Sequence, residues 1–246
     1  MAIGIVMHEN VALFPDFNNV EYGKYDEFWE MQLFLQIPNL TKADILEYFE
    51  YLALERILSG ECDVGFVPMS YLDSKNEIME NDPNPTYISE HINVVGQLFL
   101  AGYIEFGMCG LQDKEENLLS KQKPDKYQAW IHFRDNFFYK GAYYKSDDDD
   151  IMIYNDKEYS RNDCPTYYDE KSQNNVFCGY STMFSSTSWD TPKYWSQYNI
   201  WVARTPKGTK YFNEILSPKF YNKYKDLEVE IDDKGNIIRW IGKINR

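Results

Sequence analysis

The chain has 246 residues and carries 25 Lys+Arg against 39 Asp+Glu, a net charge of −14, which repels nucleic acid and anionic membranes and favours cations and basic proteins. With 43% hydrophobic and 17% aromatic residues, it has the material for a large folded core, and its composition excludes a disordered chain. Its four cysteines, Cys62, Cys109, Cys164 and Cys178, form no C-x-x-C pair, which excludes a zinc ribbon and a disulfide-dense scaffold.

Residues 3–14 read as a first strand or strand pair, broken by His8-Glu9-Asn10 and stopped at Pro15. Met31, Leu33, Leu35 and Ile37 alternate with polar or outward positions, which predicts a strand ending at Pro38. Thr41-Lys42-Ala43-Asp44 approximates a capping box and opens a helix through Ile45, Phe49, Leu52 and Ile57. That helix is expected to end at Ser59-Gly60 and lead into a short strand from Asp63. Residues 86–107 repeat the layout. Ile88, Ile92, Val95 and Phe99 fall at helical spacing, and Val94 and Leu98 widen the apolar stripe. Thr86 or Ser89 suits the cap, Gly102 suits the left-handed terminator, and Tyr103-Ile104-Glu105-Phe106 suits the strand that follows.

Residues 112–126 are polar, with a short helix expected around 115–119 and a possible subdivision of the chain near 110–126. The aromatic stretch 127–144 reads as two strands, 129–133 and 136–139. Residues 145–175 read as a loop insertion built around one strand, 151–154. A strand at 199–204 leads to a turn at Thr205-Pro206-Lys207-Gly208, after which Thr209 caps a helix through Phe212 and Leu216. Leu227, Val229 and Ile231 alternate with Glu228 and Glu230, and a polar turn at 232–236 completes a hairpin with 237–241. The expected architecture is a single α+β domain over residues 1–246. Two helix-glycine-strand units pack in it with a mainly antiparallel, aromatic-rich sheet.

A helix ending in Leu98-x-x-x-Gly102-Tyr103-Ile104-Glu105, then a strand from Ile200 into Thr205-Pro206-Lys207-Gly208 and a helix to Leu216, resembles a winged-helix scaffold. A DNA-reading use would need basic side chains for phosphates. Residues 76–113 hold no Lys or Arg but do hold Glu77, Glu80, Asp82, Glu90, Glu105 and Asp113, so no nucleic-acid partner is expected. Gly179-Tyr180-Ser181-Thr182 and the run from Tyr198 to Ala203 are similar to a late segment of lysozyme-type glycoside hydrolases. That resemblance implies a barrel and a pair of carboxylates as acid and base or nucleophile.

His8, His91 and His132 are isolated, and neither G-x-S-x-G nor G-x-x-x-x-G-K-[ST] occurs. The tetrad Asp147, Asp148, Asp149 and Asp150 lacks the alternation and glycine of a calcium loop. No catalytic, cofactor or metal site is therefore expected. The tetrad instead suits electrostatic steering of a basic partner, with Tyr167, Tyr168, Trp189 and Trp195 as interface anchors. Acidic, Tyr-rich and free of catalytic signatures, the chain resembles bacterial toxin-immunity proteins in type. The resemblance implies neutralisation of a cognate basic toxin. The alternatives are the glycoside hydrolase and a self-associating structural component. No apolar run reaches the roughly 18 residues of a membrane span, and the first residues lack the basic start of a signal peptide. A cytoplasmic location without membrane contact is the expectation.

Overall fold

The computed structural model describes residues 2–4, 34–57, 62–63, 85–108, 117–118, 125–139, 151–182, 190–195, 200–231 and 237–246. These residues form an α+β structure with antiparallel strand pairing throughout. Helix α1 (Lys42–Arg56) starts from a complete capping box: Thr41 Oγ1 accepts from Asp44 N at 3.3 Å, and Thr41 N donates to Asp44 Oδ2 at 2.7 Å. Helix α2 (Pro85–Ala101) begins on proline, so Thr86 and Ser89 lie inside it and do not precede it. Its end is the expected one. Gly102 has φ +75°, and Tyr103 N donates to Leu98 O while Gly102 N donates to Phe99 O, a Schellman closure.

Each of the two helices is followed by a strand, β2 (Cys62–Asp63) and β3 (Ile104–Met108), and both strands pair with β10 (Ile200–Arg204) from opposite sides. The sheet order is β2-β10-β3-β4, with β4 at Asn117–Leu118. Registers Ile200↔Met108, Val202↔Phe106 and Arg204↔Ile104 place Ile104, Phe106, Ile200 and Val202 on one buried face. On the other face Trp201 lies over Gly107, its cross-strand partner.

The aromatic residues form two linked clusters. Around α2 and β3, Phe106 contacts Phe133 at 4.7 Å between ring centroids, and Phe133 stacks on Phe137 at 5.0 Å. Around α1, Phe34 stacks on Tyr48 at 4.0 Å and Tyr51 on Phe220 at 4.4 Å. Burial of so many rings supplies both apolar area and geometric specificity. The C-terminal hairpin forms as its alternation predicts. Strand β11 (Leu227–Ile231) pairs with β12 (Ile237–Gly242), and β11 also takes β1 (Ala2–Gly4) as its other neighbour.

Four expectations are corrected. Phe34 and Leu35 start a helical turn that buries Phe34 and Ile37, three residues apart, where alternation predicts a strand with Leu35 on its buried face. Residues 117–118 are a strand and not part of a short helix, because they extend the sheet from β3. Residues 126–139 are helical where two strands are expected. Asp125 caps α3 (Lys126–Phe133) by accepting from Tyr127 N at 2.7 Å, and the helix runs on as a π-helical turn, Arg134–Tyr139. Its apolar residues Ala129, Trp130, Phe133 and Phe137 fall on one helical face, and that spacing prevails over aromatic strand propensity. Finally, Thr205 and not Thr209 caps α4 (Pro206–Tyr211), which continues through a π-helical turn, Phe212–Leu216, into α5 (Ser217–Tyr224).

Thr205 does more than cap. Its Oγ1 accepts from Gly208 N at 3.0 Å and donates to Gly102 O at 2.7 Å, while its N–H donates to Tyr103 O at 3.0 Å. Lys207 Nζ donates to Ala101 O at 2.7 Å. Backbone meets backbone here, since a methyl at Gly208 would lie 1.9 Å from the Tyr103 carbonyl oxygen. Gly208→Ala is therefore expected to lose about 3 kcal/mol of stability, against about 1 kcal/mol for Gly102→Ala, whose cost is backbone conformation alone. Urea denaturation of the two variants checks the order.

Candidate functional site

Two places gather chemically active side chains. The first is a seam between α1 and α5. Asp44 Oδ1 pairs with Lys223 at 2.7 Å, and its Oδ2 accepts from Thr41 and from Arg246 at 2.9 Å. Glu47, one turn on, pairs with Lys219 at 2.6 Å and also with Lys223. Burial alone would push the Asp44 carboxyl up, but hydrogen bonds from Lys223 and Thr41 and the Lys223 charge outweigh it and hold the group well below the usual range. The Glu47 carboxyl is likewise held down by its two lysines against the effect of burial. Further along α1 the balance reverses. Burial raises the Glu50 carboxyl despite a 2.9 Å bond from the Tyr211 hydroxyl, and burial also raises Glu55 beside Arg56 and Arg204.

Both carboxylates of the lower pair are consumed by cations of the same fold, which makes this seam an ionic tie between helices. Removing one partner of a buried pair leaves the other charge uncompensated, at about 3–5 kcal/mol. Lys223→Met leaves Asp44 with Arg246 and Thr41 and Glu47 with Lys219, so it is expected to destabilise by less, about 1–3 kcal/mol by urea denaturation. Because the Asp44 and Glu47 carboxyls are depressed, their contribution is present above the ordinary carboxylate range and fades as pH falls below about 4. The acid-side loss of stability should be visibly shallower in Lys223→Met than in the parent chain when urea midpoints are compared between pH 2 and 6.

The second place is a small β-module, residues 151–182, where a loop around one strand is expected. Strands β5 (Met152–Tyr154) and β6 (Lys157–Tyr159) form a tight hairpin whose two turn residues, Asn155 and Asp156, have φ of 49° and 58°. That is the turn whose twist suits a two-residue hairpin. Strands β7 (Thr166–Asp169) and β8 (Asn174–Phe177) form a second hairpin. Its turn is set by Asp169, whose carboxylate accepts from Lys171 N and Ser172 N, each at 3.2 Å. Strand β9 (Tyr180–Ser181) then returns to pair with β5. Ile151, Met152 and Cys164 are buried, and the Thr182 hydroxyl donates to Ile151 O at 3.0 Å. Glu158 joins this module to the 3₁₀ turn Pro192–Tyr194, accepting from Lys193 and, at 2.6 Å, from the Tyr194 hydroxyl.

The anchor residues named from the sequence divide accordingly. Tyr167 and Tyr168 stand side by side on β7, 54% and 62% exposed, and strand alternation sends them to opposite faces of the ribbon. Tyr180, not singled out by the sequence, is 58% exposed on β9. Trp195 is corrected: it is 0% exposed, packed against His132 and Phe133, and belongs to the core with no ring face for a partner. Trp189 and Asp147, Asp148, Asp149 and Asp150 lie outside the described residues. Among the described residues no cluster of His, Cys, Asp and Glu is arranged to hold a metal ion. Cys164 and Cys178 are free thiols. No helix among the described residues is long and apolar enough to cross a membrane.

Comparison with protein-family models, with curated proteins and with solved structures finds no match in any of the three.

Proposed function

We propose that the chain is a non-catalytic, cytoplasmic binding protein that captures a basic protein through the 151–182 module, in the manner of an immunity protein neutralising a cognate toxin. The observation that carries this reading is the β7–β8 ribbon. It holds Tyr167 and Tyr168 out on opposite faces, each more than half exposed, on a two-stranded sheet. Tyrosine delivers large contact area at low conformational cost, and such residues concentrate in binding hot spots. Charge supports the choice of partner. The exposed acids Asp156, Asp163 and Glu170 belong to this module, and the Asp147–Asp150 tetrad immediately precedes it in sequence. A net charge of −14 disfavours acidic partners and accelerates encounter with basic ones.

The test captures interactors from native lysate with the tagged chain and purifies the strongest of them. Three results support the reading: the partner is basic, its footprint by hydrogen exchange falls on residues 151–182, and its association rate drops about tenfold or more as salt rises from 50 to 500 mM. The double substitution Tyr167→Ala/Tyr168→Ala should then weaken binding by about 30-fold or more, with the melting temperature little changed. A partner that associates equally fast at both salt concentrations, or that protects only α1 and α5, overturns the proposal.

A further inference from the structure

Residues 174–181 run as one segment through two sheets, β8 in the ribbon and β9 in the three-stranded sheet, and β8 and β9 are each the last strand of their sheet. Cys178 N donates to Pro165 O at 2.8 Å, so in the antiparallel ladder the N–H groups of Asn174 and Val176 also point toward β7. Thr182 N donates to Ile151 O at 2.9 Å, so the N–H of Tyr180 points toward β5. The chain bends at Cys178 and Gly179 between the two sheets, so each pairing fixes the edge of its own strand only. The other edge of β8 carries the N–H groups of Asn175 and Phe177, and it pairs with no strand among the described residues.

Folded proteins blunt such an edge with proline, charge or a bulge, because an open row of donors and acceptors is a template for another strand. This edge has none of those residues: Asn174-Asn175-Val176-Phe177-Cys178-Gly179-Tyr180-Ser181 contains no charged side chain and no proline. The outer edge of β7 differs. It follows Pro165 and carries the charged Asp169. Side chains on the open segment alternate in strand fashion. Val176 shares a face with Tyr167 across the ladder, while Phe177 faces the other way under the Arg161 guanidinium, 5.6 Å from its ring.

Resting on the binding reading above, we infer that the partner binds by strand addition: an extended basic segment pairs along the open edge of β8, from Asn174 to Phe177. Main-chain bonds supply affinity, and Tyr167, Val176 and Tyr180 supply side-chain selectivity. A second copy of this chain is the competing occupant, and it is disfavoured because each copy brings a charge of −14 to the shared edge.

The test uses ten-residue peptides of alternating Lys and Val, with alternating Glu and Val and a helix-forming Lys and Ala peptide as controls. The Lys/Val peptide should bind in a salt-dependent manner and slow hydrogen exchange of the Asn175 and Phe177 amides at least tenfold, and neither control should do so. Asn175→Pro removes a donor from the open edge but none from the β7 ladder, and proline is tolerated where the N–H faces solvent. It should reduce peptide affinity at least tenfold while leaving circular dichroism and melting temperature close to the parent. Asn175→Ala, which keeps the N–H, should bind normally. Strand addition is overturned if Asn175→Pro binds like the parent, if protection maps to other amides, or if the chain alone shows concentration-dependent dimerisation through this edge. A protein partner whose footprint covers Tyr167 and Tyr168 but spares these two amides would leave the binding reading standing and remove strand addition alone.

Discussion

The contact on which the rest of the structure depends joins two points about a hundred residues apart. The chain leaves α2 through Gly102 and Tyr103, and it leaves β10 through Thr205 into Gly208. Three hydrogen bonds, from Lys207 Nζ, Thr205 Oγ1 and Thr205 N, satisfy the carbonyls of Ala101, Gly102 and Tyr103 at the end of one helix, and a fourth, from Gly208 N to Thr205 Oγ1, opens another. Because Gly208 has no side chain, its backbone reaches the Tyr103 carbonyl at a distance that any Cβ would forbid. This junction sets where β3 begins and where β10 ends, and so it sets the ladder between them. From that ladder follow the burial of Phe106 and Val202 on one side and the position of Trp201 over Gly107 on the other. Tyr103 is held from its other side by Tyr211, stacked at 4.5 Å, which in turn reaches Glu50 on α1. One close approach thus connects both helix-glycine-strand units to the C-terminal helices.

Sequence pattern revealed those parts of the fold whose signal is local. Thr41 with Asp44, Gly102 after an apolar stripe, and Leu227-Val229 in alternation each encode their element within a few residues, and each forms as read. The failures come where two local rules compete or where the decisive partner is distant. Trp130, Phe133 and Phe137 have strand-favouring rings at helical spacing, and Asp125 supplies the cap that decides the matter. Thr205 and Thr209 are both plausible caps. The choice falls on Thr205 because its hydroxyl also bonds Gly102, a partner about a hundred residues earlier in the chain. The 151–182 module was hidden by its polarity, although its turn residues were readable: Asn155-Asp156 can take the left-handed conformations of a tight hairpin, and Asp169 can fold its own turn. As for the candidate surface, exposure of Tyr167 and Tyr168 agrees with strand residues outside a core. Trp195 shows the limit of composition, since a tryptophan beside a polar segment can anchor that segment inward as readily as it anchors a partner.

The carboxylates serve two different physical purposes. On α1, Asp44 and Glu47 meet Lys219, Lys223 and Arg246, so charge is spent inside the fold and contributes nothing to long-range attraction. In the β-module Glu158 is likewise paired, with Lys193, and the other acids, Asp156, Asp163, Asp169 and Glu170, exceed Lys157, Arg161 and Lys171 by one. Long-range attraction is therefore carried by the net charge of −14 of the whole chain, acting over the Debye length of about 8 Å at physiological salt. This arrangement resolves an apparent conflict in the proposed strand addition. An uncharged, proline-free edge invites pairing with any extended chain, including another copy of itself. Under the proposal, the net charge of −14 on every copy opposes self-pairing and favours a basic segment as the occupant. In the proposed complex, main-chain bonds supply the affinity, Tyr167, Val176 and Tyr180 the side-chain selectivity, and net charge the bias toward a basic over an acidic chain.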